Sequence, residues 1–368
     1  MTTRPTGKLA YLSEPERVEM REYEVPEPDP GAVLTEVEQA NVCGSELHIW
    51  RGHHPEVKEG VLGHEVLCRV SELGAGVETD YAGEPIAAGD LIAPAYYVTC
   101  QRCHSCQRGQ FNLCQNAYEN WSKPPEEPPH FHGTFATHYV VHPDQYFYKV
   151  PEGLDPSIAA GANCALSQML YGLDEIGVEY GDTVVVQGAG GLGLNTVAIA
   201  QERGAETIVI EGIDGRIDRA RAFGADHVID FREYDTVEAR AERVRELTGG
   251  VGADVGVEVA GVPDAFAEGI DLVRDGGRYL EVGNVSPGQT TEFDPGSLTR
   301  AALTIEAVVR YQPWYLKRAL RFLERNAEKY PYEDLVDARF DLEDVDEALA
   351  ESDSRGVTRA ALRPTTPE

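Results

Sequence analysis

The chain has 368 residues, 42% of them hydrophobic, which is enough material for two compact domains and unlike disordered or fibrous sequence. Its 63 acidic residues face only 32 basic ones, six of them lysine, and the formal net charge of −31 argues against nucleic acid or an anionic membrane as a partner. Because the acids run through the whole chain, the charge also reads as halophilic: concentrated counter-ions would screen a self-repulsion that otherwise opposes folding. The first ten residues lack the apolar segment of a leader, and no run of about 18 apolar residues occurs, so a cytoplasmic protein is expected. Seven cysteines in such a chain point to metal binding or catalysis rather than disulfides.

From 33 to 98 the sequence reads as short apolar runs, 66–70 and 91–95 among them, broken by Gly, Pro and Asp, the pattern of a mainly β domain with long loops. Within it lie Cys43, in Asn-Val-Cys-Gly-Ser-Glu-Leu-His, and the pair His64-Glu65. Cys68 sits in an apolar run and reads as a small core residue. Next come Cys100, Cys103, Cys106 and Cys114 at C-x2-C-x2-C-x7-C. Four thiolates in one loop suit a closed tetrahedral zinc with no open position, hence a structural one. The bacterial ferredoxin run places three residues before its fourth cysteine and a proline after it, so an iron–sulfur cluster fits the spacing less well. Residues 116–132, with two Pro-Pro pairs, carry no element signal and are expected to form a surface loop or lid. A further cysteine, Cys164, follows in Ala-Asn-Cys-Ala.

Beyond Pro151 the pattern changes to five-residue apolar strands alternating with longer helical stretches, the βαβ signature of a parallel sheet. Strands are predicted at 183–187, 207–211, 227–230, 254–259, 278–282 and 304–309, all fitting one doubly wound sheet. Directly after the first of them, Gly188, Gly190 and Gly193 stand in G-x-G-x-x-G register, with Gly191 and Leu192 between. In that setting the first glycine makes the tight turn, the second admits a pyrophosphate, and the third lets the helix pack close, while the free N–H groups of the helix N-terminus face the phosphates. Glu211, 23 residues after Gly188, is placed to bind the ribose hydroxyls of NAD and to repel the 2′-phosphate of NADP. Arg216, five residues on, leaves the choice open, since it can serve either cofactor. An amphipathic helix is predicted at 314–326, after which the remaining segment is too small to fold alone and is expected to rejoin the first domain.

Taken in this order, the scattered Cys43, His64-Glu65 and Cys164, the four-cysteine loop and the later glycine fingerprint resemble the medium-chain zinc-dependent alcohol dehydrogenase family over essentially the whole chain. The resemblance implies a GroES-like β catalytic domain from 1–164 plus 310–368, with a Rossmann NAD(P)-binding domain from 165–309. It implies Cys43, His64 and Cys164 as ligands of a catalytic zinc, with Glu65 beside them and able to replace a ligand or water. A second, structural zinc would sit in the cysteine loop, making two per chain. Ser45 matches the hydroxyl that contacts the substrate oxygen, His48 the histidine that passes its proton to solvent, and Arg359 an arginine that binds a cofactor phosphate; Tyr96 and His54 match pocket positions. The implied reaction moves a hydride between a primary, secondary or polyol alcohol and NAD(P), NAD preferred, in a homo-oligomer, a dimer or tetramer.

Two departures from the family stand out. Glu46 replaces an Asp that buttresses the zinc histidine, and Gly44 replaces a basic residue that holds the pyrophosphate in some members. The rival readings are a zinc-free quinone or enone reductase on the same scaffold, and a non-catalytic NAD-binding or electron-transfer protein.

Overall fold

The computed structural model describes residues 4–53, 59–285 and 287–364. The chain divides into two compact units, Met1–Ser167 with Gln312–Glu328 and Tyr332–Glu368 in the first, and Gln168–Tyr311 with Lys329–Pro331 in the second.

In the first unit, β1 (Thr6–Glu14) and β2 (Arg17–Glu24) form an antiparallel hairpin, and β4 (Gly60–Val61) joins the other side of β1. The long strand β3 (Val33–Asn41) pairs antiparallel with β5 (Glu65–Leu73), and β6 (Leu91–Pro94), β7 (His138–Val141) and β8 (Phe147–Lys149) extend that sheet. Its core gathers Val33, Val37, Val66, Cys68, Val70 and Ile92, so Cys68 is the packed hydrophobe that its apolar run announces. Burial pushes its thiol up to about 12, far from reactivity.

The second unit carries the doubly wound sheet: β9 (Thr183–Gln187), β10 (Glu206–Glu211), β11 (His227–Asp230), β12 (Ala253–Glu258), β13 (Val273–Glu281) and β14 (Thr304–Ala307), in the order β11-β10-β9-β12-β13-β14 and parallel throughout. Val184, Val185 and Val186 of β9 are fully buried, as expected of a strand covered on both faces. The order reverses between β9 and β12, so the crevice that binds ligands in such sheets lies beyond the carboxyl ends of these two strands. Strand β13 begins five residues before the predicted start, because Val273 already pairs with Ala253 across a register shift.

The helix predicted at 314–326 spans Tyr315–Asn326 and buries Leu316, Ala319, Leu320 and Leu323 on one face, the spacing of an amphipathic helix. Strands β15 (Ala338–Asp341) and β16 (Ala360–Arg363) complete the seven-stranded sheet of the first unit, with β16 antiparallel to β3. Among the described residues no helix is long and apolar enough to cross a membrane.

Candidate metal centres and dinucleotide site

Cys43 ends the segment after β3 and is the N-cap of the helix Gly44–Trp50. His64 and Glu65 stand at the start of β5, and Cys164 lies in a single π-helical turn, Ala162–Leu166, of the kind often found at functional sites. The fold brings one donor atom from each of the four within 4.8 Å of all the others. The two sulfurs of Cys43 and Cys164 are 3.8 Å apart, and His64 Nε2 is 3.4 Å from Cys164 Sγ. A tetrahedral zinc with bonds of about 2.3 Å to sulfur and about 2.0–2.1 Å to nitrogen separates its ligands by about 3.8 and 3.5 Å, so the three donors stand at zinc-ligand spacing.

The charge state of the donors agrees with that geometry. The hydrogen bond with Cys164 holds the Cys43 thiol well below its usual value against the opposing effect of burial, and His64 and Arg359 add to the lowering. Cys164 is raised by the same bond and by burial. Burial disfavours the imidazolium of His64, yet the Glu46 carboxylate and the Cys43 sulfur outweigh it and raise His64 well above its usual value. Protons thus sit where a divalent cation would neutralise the same thiolates, and binding a cation here would expel them.

Glu46 is the residue whose extra methylene departs from the family. It is fully buried, and its two oxygens divide the work: Oε2 accepts from the Cys43 backbone N–H at 2.9 Å, and Oε1 meets Nδ1 of His64. The first contact is half of a capping box, which fixes the helix start and therefore Cys43. The second orients the imidazole with Nε2 towards the sulfurs. Asn163 donates its amide to the carbonyls of His64 and Pro94, both at 2.9 Å, tying the π-helical turn to β5 and β6.

Glu65 is fully buried, with Oε2 on the Arg359 guanidinium and Oε1 meeting no partner among the described residues. Burial pushes its carboxyl up to about 7, although Arg359 pulls the other way. Arg359, the arginine that the resemblance assigns to a cofactor phosphate, stands against Glu65 and the two site thiols. Ser45 and His48 share the i, i+3 face of the helix Gly44–Trp50, both half-buried. Burial first, then the charges of Arg51 and His53, holds His48 below its usual value. The ring of Tyr96 lies 5.2 Å from that of His64. His54 lies outside the described residues.

The second cluster joins Cys100, Cys103, Cys106 and Cys114, whose sulfurs also lie within 4.8 Å of one another. Backbone N–H groups point at the sulfurs: Cys100 N–H donates to Cys114 Sγ at 3.4 Å, and Cys103 N–H to Cys100 Sγ at 3.3 Å. Backbone donors from Cys106 and Gln115 hold the Cys103 thiol down at about 6, while burial raises Cys106 and Cys114. A thiol-rich knot that gathers no further donor side chain among the described residues fits a closed metal site.

In the second unit the glycine fingerprint joins β9 to the helix Gly191–Glu202, with Gly190 as the N-cap and Leu192 in the first turn. Gly188 has φ of +104°, reserved for glycine, and a Cβ on Gly193 would stand 2.0 Å from the Gly188 carbonyl oxygen, so both positions tolerate no side chain. A Cβ on Gly190 would meet nothing within 4 Å, which leaves its face open for a ligand to approach. Glu211, at the end of β10, is turned onto this loop: Oε2 accepts from Ala189 N–H at 3.0 Å, and Oε1 from Gly212 and Ile213 N–H at 2.7 and 3.1 Å. Arg216 lies 3.8 Å from the same carboxylate.

One feature of this unit escaped sequence reasoning. Glu258, at the end of β12, accepts from Ala260, Gly261 and Gly283 N–H and from the Asn284 amide, while in-register Glu281 ends β13 beside it. Burial, then the neighbouring Glu281, pushes Glu258 up to about 8. The signal was available, since both glutamates close apolar strands that the sequence pattern identifies.

A six-stranded parallel sheet with a glycine-rich turn, joined in one chain to a β unit carrying two thiol-rich clusters able to hold a metal, points to a zinc-type dehydrogenase. Residues 29–152 match the alcohol dehydrogenase GroES-like domain and residues 191–325 the zinc-binding dehydrogenase domain. The chain is 35% identical over 348 residues to 5-exo-hydroxycamphor dehydrogenase of Pseudomonas putida, covering 93% of this chain and 94% of that one. It is 30% identical to sorbitol dehydrogenase of Halalkalibacterium halodurans, with the same coverage. Among solved structures, an alcohol dehydrogenase from Thermotoga maritima superimposes with a TM-score of 0.92 at 31% identity, over 98% of this chain and all of that one. The chain belongs to the medium-chain zinc-binding dehydrogenase family and is an oxidoreductase of the alcohol dehydrogenase type. Neither rival reading is favoured by these likenesses.

Proposed function

We propose that the protein is a zinc-dependent alcohol dehydrogenase that moves a hydride between an alcohol carbon and NAD(P), with Cys43, His64 and Cys164 as ligands of a catalytic zinc and Glu65 as a neighbour able to exchange with them. The observation that carries this reading is the zinc-ligand spacing of the two sulfurs and the imidazole, 3.8 and 3.4 Å, in residues drawn from three distant segments. Cys100, Cys103, Cys106 and Cys114 hold the second, structural zinc, and the two compact units serve as catalytic and cofactor-binding domains.

A zinc held by Cys43, His64 and Cys164 supplies Lewis acidity that lowers the pKa of an alcohol. The protein's own residues do the rest. Glu46 keeps His64 aimed and Cys43 fixed, so the ligand set is preorganised rather than assembled on demand. Ser45 takes up the alcohol proton and His48, held neutral by its surroundings, carries it outward. The glycine turn and the N-terminus of the helix Gly191–Glu202 receive the pyrophosphate. Glu211 favours NAD over NADP: its carboxylate is fixed by three backbone N–H groups yet keeps acceptor capacity for ribose hydroxyls, and a 2′-phosphate beside it is repelled. A homo-oligomeric, halophilic enzyme accords with the family and with a net charge of −31.

Elemental analysis of the purified chain, with cofactor reduction followed by absorbance across a panel of alcohols, tests the proposal. Two zinc atoms per chain and alcohol-dependent NAD reduction are expected. One zinc would mark a reductase or binding protein holding only the structural site, and iron would mark electron transfer.

A further inference from the structure

Beside His64, on the first unit, lies a small cavity, part of it open to solvent. It is built by stitching residues 116–136 onto the segment that leads into β5. Trp121 Nε1 donates to the Val61 carbonyl at 2.9 Å, and Thr134 and Phe135 N–H donate to Gly63 and Leu62 at 3.1 and 2.9 Å. The stretch expected as a surface loop or lid is thus part wall: Tyr96 and Trp121 set aromatic rings around His64, with ring centroids 5.2 and 6.1 Å away.

The remainder of the wall is polar. His132 and Asn120 line the same cavity with relative exposures of 3% and 7%. Oδ1 of Asn120 meets no hydrogen-bond partner among the described residues, and the His132 ring has only the Lys123 backbone within reach. A buried polar atom left unpaired opposes folding, and two under-paired polar side chains lining one small cavity form a site for a hydrogen-bonding guest rather than ordinary packing. The guest's chemistry follows from theirs. Asn120 Oδ1 accepts and therefore requires a donor, which a ketone, ether or carboxylate oxygen does not offer. His132 is neutral, since burial, with Lys123 and His130 nearby, holds it down at about 4; a neutral imidazole provides one donor and one acceptor and no charge to attract an acid. A hydroxyl group, donor and acceptor at once, satisfies both.

We infer that His132 and Asn120 form a subsite for a second hydroxyl of the substrate, so that the enzyme acts on diols and polyols in preference to simple alcohols. The inference rests on the proposed dehydrogenase function and refines it: one hydroxyl is oxidised near His64 while another, further along the carbon chain, is held by Asn120 and His132. In the reverse direction the substrate is a hydroxyketone, reduced at the carbonyl and held by its remaining hydroxyl.

The test compares butane-2,3-diol and butan-2-ol, which share a carbon skeleton and differ by that hydroxyl. The wild-type holoenzyme should show a kcat/KM for the diol at least about tenfold above that for the mono-alcohol, in line with a site built around hydroxyl hydrogen bonds. In His132→Leu and Asn120→Leu the ratio should fall towards one, through KM more than kcat, and His132→Gln, which keeps a donor and an acceptor, should restore part of it. Calorimetric titration with the two alcohols gives a readout independent of turnover: the diol should bind more tightly to wild type, and the leucine variants should lose that advantage. Equal kcat/KM for both alcohols in the wild type, or an undiminished ratio in both leucine variants, overturns the subsite and leaves the dehydrogenase intact. Oxidation of no alcohol by the two-zinc protein overturns the dehydrogenase reading, and the subsite with it.

Discussion

Shortening Glu46 by one methylene probes how far the Cys43–His64–Cys164 cluster depends on the support behind it. In the wild type the two carboxylate oxygens bridge the Cys43 backbone N–H, at 2.9 Å, and the His64 ring. Glu46→Asp withdraws the carboxylate by about 1.5 Å, one carbon–carbon bond, so it reaches one partner and leaves the other unmet in a fully buried setting. Loss of a partner of this kind typically costs about 10–100-fold in metal affinity, or about 1.4–2.7 kcal/mol. Glu46→Gln keeps the reach but replaces one of the two acceptor oxygens with an NH2 donor and removes the charge, so a comparable loss is expected. The assay is zinc retention against a chelator of graded concentration, read as zinc per chain. The four-thiolate loop acts as an internal standard, because it shares no residue with the cluster. The expected result is a two-step release in which the first zinc leaves Glu46→Asp at about 10–100-fold lower chelator and the second leaves unchanged. Identical release curves for wild type and Glu46→Asp would refute the reasoning.

Other outcomes follow from the same geometry. Between about pH 4.5 and 8 the folded chain keeps a proton on Glu258 that the unfolded chain has released, so this group's contribution to stability falls as pH rises. Glu281→Gln removes the neighbouring carboxylate and should be more stable than wild type at pH 8, by on the order of 1–3 kcal/mol, read as a higher melting temperature, with the gap closing near pH 5; a constant gap would show that Glu258 does not titrate there. Glu211→Ser should raise the ratio of kcat/KM for NADP over NAD by tenfold or more, about 1.4 kcal/mol, and an unchanged ratio would remove Glu211 from cofactor choice. His48→Gln should lower the oxidation rate most at low pH, where hydroxide cannot take the proton instead, and equal loss at every pH would exclude it from the relay. The melting temperature of the wild type should climb between low and molar salt, and a flat response would contradict screening of the −31 charge.

The cofactor unit was legible because its signals are local. Three valines in a row on β9, the glycines directly after them, and an acid at the end of the next strand all lie within 30 residues of one another. The cysteine loop was legible for the same reason, with four donors in 15 positions. The first metal cluster was not legible from spacing, since Cys43 and Cys164 are 121 positions apart and acquire meaning only once β3, β5 and the π-helical turn converge. Glu46 looked like a defect; its reach depends on the helix start, where the i+3 carboxylate folds back on the N-cap. The contact of Arg359 with Glu65, 294 residues away, comes from the pairing of β16 with β3, which no local pattern reports. The unpaired state of Asn120 and His132 is a property of a cavity, which no pattern in the sequence reports.

The return of the last strand to the first unit sets an order on biosynthesis. A ribosome working from the N-terminus has delivered Cys43, His64, Glu65 and Cys164 before the second unit is translated, yet Arg359 and the β16 residues that lock onto Asn41 and Ala40 emerge near the finish. Until then Glu65 lacks the cation that accompanies it in the interior, and burying its carboxylate alone would be costly. The second unit, almost continuous in the chain, meets no such delay and is free to fold first, reversing the N-to-C order usual for domains made in succession. A cluster assembled this way is complete only once β16 has docked, and premature stop codons shortly before Arg359 should yield chains that carry Cys43, His64 and Cys164 but leave Glu65 without its cation.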